Sequence, residues 1–270
     1  MMRMQTITTT QLVHLARFDH PREAIHHDPK QERAPHYSAS FVERGQFDLR
    51  IGGRSWRLAP GMIFITRPGL VYRSRHPEPI PTDVCLSVMY STTYMEAVHR
   101  TGGDGSGRTQ GPWVVQPTNR LAYLYRRLAQ WVDSDGEDLT LETLASELLS
   151  AVAEPTNGRL YRDTQLGWYT ERIDAARTML ETQYAETHSL AALGHTIAMS
   201  PFHFARVFRE LTGTPPHRYL LRVRLERAAQ RLRDGASVTE ACYACGFNNL
   251  SHFTRLFRRS YGVSPSRFRN

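Results

Sequence analysis

Apolar and polar positions alternate with two different periods along the chain. Between residues 36 and 90 the alternation is short and often broken by glycine and proline. Residues 46–51 (Gln-Phe-Asp-Leu-Arg-Ile) alternate with period two, and Gly52-Gly53 then marks a two-residue hairpin. Residues 55–58, 62–65, 71–72 and 84–90 are further apolar stretches, set off by the Pro60-Gly61 and Pro68-Gly69 turns. A strand or two is also expected between Thr6 and Phe18. Many short strands with such turns predict a small barrel or sandwich.

Beyond residue 112 the period becomes helical. Leu121, Leu124, Leu128 and Trp131 stripe a helix over 118–132. Leu141, Leu144, Leu148 and Val152 stripe another over 141–153. Either stripe can pack on its own barrel or pair with a second copy. Residues 101–111 are glycine-rich and read as a loop, and 154–166 read as a connector. A helix over 167–185 then opens a second region, with Ile173, Ala176, Met179 and Leu180 inward.

That region repeats itself. Ser189 starts a helix over 190–198, and Met199 sits in the turn. Ser200 is expected to cap the next helix, with Pro201 at its first position. Phe204, Val207, Phe208 and Leu211 face the core, and Gly213 ends the helix. A long helix over 217–233 leads to Ser237, a helix over 238–245, the Gly246 turn, and a helix over 250–261 capped by Asn249. Its expected stripe is Phe253, Leu256, Phe257 and Ser260, its stop is Gly262, and Ser264-Pro265 starts a last short helix. An offset of 49 residues superimposes His203 on His252, Phe204 on Phe253, Arg206 on Arg255, Phe208 on Phe257 and Gly213 on Gly262. Two short helices joined by a tight turn, present twice, predict two helix-turn-helix units, whose second helices enter a major groove.

Charge sharpens this division. The 270 residues carry a net charge of +8, with 40% apolar and 22% charged residues, an ordinary globular composition. From residue 166 onward 15 arginines face 8 acidic residues, leaving residues 1–165 close to neutral. A basic half beside a neutral half points to a polyanionic partner. The three cysteines, Cys85, Cys242 and Cys245, do not suit a disulfide framework, so a reducing cytoplasmic setting is expected. No leader peptide and no membrane span are read from the sequence. A single Cys242-x-x-Cys245 pair on an inward helix face is read as packing, not as zinc or redox chemistry. His26-His27 are vicinal, so on a strand they would point to opposite faces, and isolated His36 and His76 add no ligand cluster. No catalytic residue, metal site or cofactor is expected. An organic ligand in the barrel mouth is, with Tyr37, Phe47, Trp56 and Tyr72 as candidate lining residues.

Two stretches resemble a known family, the AraC/XylS transcriptional regulators. The Gly52-Gly53 hairpin, residues 58–61 (Leu-Ala-Pro-Gly), residues 62–65 and Arg67-Pro-Gly resemble its cupin-like sensor domain. The block from Ala241 to Arg269, including Gly246-Phe-Asn-Asn-Leu-Ser-His-Phe-Thr-Arg and Gly262-Val-Ser-Pro, resembles its DNA-binding domain. The sensor part departs from metal-binding cupins in having no His-x-His pair, and Tyr72 stands where a histidine often follows the Pro-Gly turn. The resemblance implies an α+β two-domain chain: a cupin-like β-barrel with two following helices over 1–155 for ligand sensing and dimerisation, a linker over 156–168, and an all-α double helix-turn-helix domain over 169–270. It implies a regulator of transcription, an activator by lean, working on double-stranded DNA under a small-molecule effector, with RNA polymerase and a second copy of the chain as partners. The alternative is a constitutive DNA-binding protein whose barrel only dimerises. By the same resemblance Phe202, Ala205 and Arg206 of the first unit, and Asn249, Leu250, Ser251, Thr254 and Arg255 of the second, face bases. Arg209, Arg218, Arg258 and Arg267 suit phosphates.

Overall fold

The computed structural model describes residues 3–19, 31–76, 83–101, 112–134, 137–153 and 159–269. Residues 102–111 of the expected loop, the first five residues of the expected connector and the pair His26-His27 lie outside the described residues. The chain divides into two units, Met1–Leu160 and Tyr161–Asn270.

The first unit holds strands β1 (Arg3–Thr9), β2 (Val13–Asp19), β3 (Glu32–Arg33), β4 (Tyr37–Arg44), β5 (Phe47–Ile51), β6 (Arg54–Leu58), β7 (Ile63–Thr66), β8 (Val71–Arg75), β9 (Val84–Tyr90) and β10 (Val114–Val115). They form a six-stranded sheet in the order β1-β2-β9-β4-β7-β10 and a four-stranded sheet in the order β3-β8-β5-β6. The pairings of β4 with β7 and with β9 and of β5 with β6 and with β8 are antiparallel. The Gly52-Gly53 turn closes the β5–β6 hairpin, with Gly52 at φ 58°. Two short strands, β3 and β10, and one helix, α1 (Thr92–Thr101), were not legible as periodic stretches. The signal for α1 was the Ser91 cap, whose hydroxyl accepts from the Tyr94 amide at 3.2 Å.

Helices α2 (Asn119–Ser134) and α3 (Asp138–Ala153) complete the unit. Their expected stripes are both buried, Leu121, Leu124, Leu128 and Trp131 on one and Leu141, Leu144, Leu148 and Val152 on the other. Phe41 of β4 meets Tyr125 of α2 at 5.4 Å between ring centres. Arg17 of β2 holds Glu43 at 2.8 Å, and the Tyr125 hydroxyl donates to Glu43 at 2.9 Å. The helices therefore cover their own sheet, so these apolar stripes are not available to pair with a second copy.

The second unit contains α4 (Asp163–Thr182), α5 (Leu190–Thr196), α6 (Pro201–Thr212), α7 (Pro216–Arg233), α8 (Val238–Ala244), α9 (Leu250–Tyr261) and α10 (Pro265–Arg269). Helix α4 begins at Asp163, four residues before the expected Gly167, so residues 163–168 are helical and not part of a connector. Around α6, Phe204, Val207, Phe208 and Leu211 are fully buried. Around α9, Phe253 and Phe257 are fully buried, Leu256 packs half-buried at the same core, and Ser260 is exposed. The expected place of Ser260 in the stripe was wrong: it continues the period, but the core does not extend to its turn. Among the described residues no helix is long and apolar enough to cross a membrane.

Candidate nucleic-acid interface and ligand cavity

Each recognition helix is set by its caps and its preceding turn. Ser189 caps α5 by accepting from the Ala192 amide at 3.0 Å. Ser237 and Glu240 form a reciprocal capping box on α8. Asn249 Oδ1 accepts from the His252 amide at 2.8 Å, so this residue is both a cap and a member of the exposed face. Ser200 has the extended backbone of a cap, but its side chain makes no capping bond, contrary to expectation. Pro201 at the helix start already lacks the amide hydrogen that needs a partner, which lowers the demand for a cap.

The two turns differ in length. Met199 N–H bonds to the Gly194 carbonyl and Phe247 N–H to the Cys242 carbonyl, matched positions 48 residues apart. Helices α6 and α9 are 49 residues apart. The second turn thus carries one extra residue, Asn248, and the uniform offset of 49 holds only from the recognition helices onward. The shorter turn brings the Met199 carbonyl within 2.7 Å of where a Cβ on Gly194 would stand. That approach requires glycine at 194, whereas the longer turn accepts Cys242 at the matched position.

The exposed faces are as the repeat implies. Phe202 is 91% exposed, and Arg206, Arg209, Asn249, Leu250, Ser251, Arg255 and Arg258 are exposed, with Ala205 and Thr254 half-buried. Arg218 and Arg267, at the starts of α7 and α10, are exposed as well. Arg206 lies 3.7 Å from Glu210, which also accepts from the Tyr161 hydroxyl at 2.5 Å. At the position matching Glu210 the second unit has Arg259. The paired histidines also differ: His203 Nε2 meets the Tyr169 hydroxyl at 2.9 Å, while His252 is exposed and contributes its backbone to the Asn249 cap. Cys242 and Cys245 are buried in the second unit's core beside Phe247 and Phe253. Burial raises both thiols above the usual range, so neither is poised as a thiolate.

Between the two sheets of the first unit lies a cavity of about 510 Å³. Of the four candidate lining residues, Phe47 and Tyr72 reach it, and Tyr37 and Trp56 do not. For Tyr37 the reason is strand parity, whereas Trp56, paired with Leu49, shares the face of Phe47 and is taken up by the core. Ser38 and Ser40 of β4 face the cavity, which turns Tyr37 and Phe41 to the other side of the sheet. Trp56 packs half-buried at the core cluster beside Leu49 and Leu58. The polar groups inside were missed. Glu32 accepts from the Tyr72 hydroxyl at 3.1 Å and from Ser74 at 2.7 Å. His76 and Asp83, both buried, are hydrogen-bonded to one another, and the Cys85 thiol reaches Asp83 at 3.8 Å. Burial and Glu32 push the Tyr72 phenol well up, and burial pushes up the Cys85 thiol, so both stay neutral donors. Among the described residues no three His, Cys, Asp or Glu side chains converge as metal ligands. The Glu32 signal was absent from the sequence because β3 is only two residues long.

Comparison with known proteins covers both units. A family model described as an AraC-like ligand binding domain matches residues 21–149, and one described as a helix-turn-helix domain matches residues 193–270. The HTH-type transcriptional activator RhaS of Escherichia fergusonii is 28% identical over 238 residues, 85% of this chain and 83% of the relative. RhaS of an Escherichia coli strain is 26% identical over 236 residues, again 85% and 83%. A solved structure of a probable AraC family transcriptional regulator from Rhodopseudomonas palustris is similar at 30% identity with a TM-score of 0.35, covering 36% of this chain and 94% of that one. With one model on the barrel and the other on the duplicated helices, the chain belongs to the AraC family of DNA-binding transcriptional regulators.

Proposed function

We propose that the exposed faces of α6 and α9 read two adjacent major-groove segments of one DNA site, and that a small organic effector in the barrel cavity controls this reading. The observation that carries the effector half is the cavity itself, roomy enough for a small molecule and lined by aromatic side chains with a few fixed polar groups. Arg206 and Arg255 are the guanine readers, Phe202, Ala205 and Leu250 make apolar contacts, and Ser251, Thr254 and Asn249 supply the other base-edge groups. Arg209, Arg218, Arg258 and Arg267 hold phosphates. The chain works in the cytoplasm in contact with RNA polymerase and activates transcription, as its RhaS relatives, which are transcriptional activators, do. Two chains pair through the outer surfaces of α2 and α3, since the apolar stripes of these helices are already buried.

Selection of bound DNA from a random pool tests the reading, with two half-motifs about one helical turn apart as the expected result. Operator affinity is then measured across a panel of candidate effectors. A chain whose affinity ignores every compound, and whose cavity binds none of them, is a constitutive binder and not a sensor. Arg258→Ala is expected to weaken all sequences alike and lower the salt slope by about 1. Sedimentation equilibrium, with and without effector, tests the pairing.

A further inference from the structure

We propose that Arg224 is a positioning residue that locks the two recognition helices in phase. The inference rests on the two-unit reading above. Arg224 leaves the middle of α7 and donates to three backbone carbonyls. Its Nε bonds Tyr184 at 2.7 Å, its Nη2 bonds Glu186 at 2.7 Å, and its Nη1 bonds Gly246 at 2.9 Å. Tyr184 and Glu186 belong to the segment between α4 and α5 that leads into the first helix-turn-helix unit. Gly246 is the turn of the second.

Two other observations place the same backbones together. A Cβ on Gly246 would stand 2.5 Å from the Ala185 carbonyl, so the turn of one unit lies directly on the approach to the other. The Tyr184 side chain packs at the core of the second unit, with Arg227 5.6 Å from its ring centre. The turn of the second helix-turn-helix unit and the approach to the first therefore touch directly at Gly246 and Ala185, besides being joined through α7.

Phase needs that junction. Helix α7 has 18 residues, about 27 Å at 1.5 Å per residue, and fixes a separation. A rod joined to a body at each end still lets the bodies rock, and a third fixed point removes that freedom. DNA advances about 3.4 Å and turns roughly 35° per base pair, so only a reader held in phase discriminates a half-motif spacing that is wrong by one. The planar fork of arginine spans three carbonyls in a fixed geometry. A lysine ammonium is a compact point charge on a flexible stem and does not span them.

The test uses the full chain and its selected bipartite site, with variants in which the half-motifs are moved by one base pair in either direction or one half-motif is scrambled. The wild type is expected to lose about tenfold or more on a one-base-pair change. Arg224→Met keeps the apolar stem and removes the three bonds. It is expected to bind the natural site about tenfold more weakly and to show a spacing penalty of about threefold or less, with single-half-motif affinity unchanged within about twofold. A full spacing penalty in the variant overturns the proposal. So does an equal loss on single-half-motif DNA, which marks a residue that only supports folding. A wild type indifferent to spacing sinks the two-unit reading and this inference together. If the methionine variant melts below the assay temperature, Arg224→Lys is read against the same outcomes.

Discussion

In the first helix-turn-helix unit Ala198 occupies the left-handed region at φ 55°, and in the second Gly246 occupies it at φ 76°. The first turn is one residue shorter, depends on Gly194 for its closeness, and leads into a helix whose Ser200 makes no cap bond. The second turn is longer, its helix is capped by Asn249, and its glycine is wedged against Ala185. The reading faces differ in the same sense. Arg206 faces Glu210 on its own helix, whereas the matched neighbour of Arg255 is another arginine, Arg259. The first unit carries Phe202 and Ala205 where the second carries Ser251 and Thr254. One scaffold thus supports a first copy suited to apolar contact and a second suited to polar readout, which under the proposed function predicts an asymmetric site for each chain.

The largest expected effect breaks the second turn. Gly246→Ala puts a Cβ on the Ala185 carbonyl in a left-handed backbone, and stability measured by urea unfolding falls by roughly 2–4 kcal/mol. Gly235→Ala, at φ 92° with open space around it, is the control and loses about 1–2 kcal/mol. An equal loss at both sites means the Ala185 approach contributes nothing.

Next come the readers. Arg255→Ala weakens binding to the preferred site by ~1–3 kcal/mol and relaxes one base position. Arg206→Ala loses about 0.5 kcal/mol less, because its guanidinium must first leave Glu210. Titration of both variants on matched and single-base-changed sites measures the difference, and Glu210→Gln should remove it.

The caps sharpen the comparison at lower energy. Ser237→Ala loses about 1 kcal/mol with the capping box, and Ser200→Ala changes stability by less than about 0.5 kcal/mol. Equal losses in thermal melts contradict the difference in caps. Smallest of all, Ala198→Gly relieves the left-handed alanine and stabilises by roughly 0.5–1 kcal/mol, read as a rise in the urea midpoint.

Much of the interface was legible in the sequence, because a recognition helix is a local object. The spacing of Phe204, Val207, Phe208 and Leu211 fixes which side faces the core, and so leaves Phe202, Arg206 and Arg209 outside. The cavity was half legible. Phe47 and Tyr72 line it, but Tyr37 takes the other face of its sheet and Trp56, on the same face as Phe47, packs into the core, and aromatic character states neither outcome. Glu32, His76 and Asp83 come to the cavity from separate strands and loops, and no spacing in the chain brings them together.

From the sequence alone came the two-part architecture, the strand and helix textures, the duplication and the outward faces of α6 and α9. All of these follow from periodicity and from cap and turn residues within a few positions of one another. Tertiary structure decided the rest. It buried the stripes of α2 and α3 within their own unit, gave Arg206 a partner, and showed the extra residue in the second turn. It also brought the carbonyls of Tyr184, Glu186 and Gly246 around Arg224. Backbone carbonyls are the same in every residue, so the chain carries no local mark of where such a junction will close.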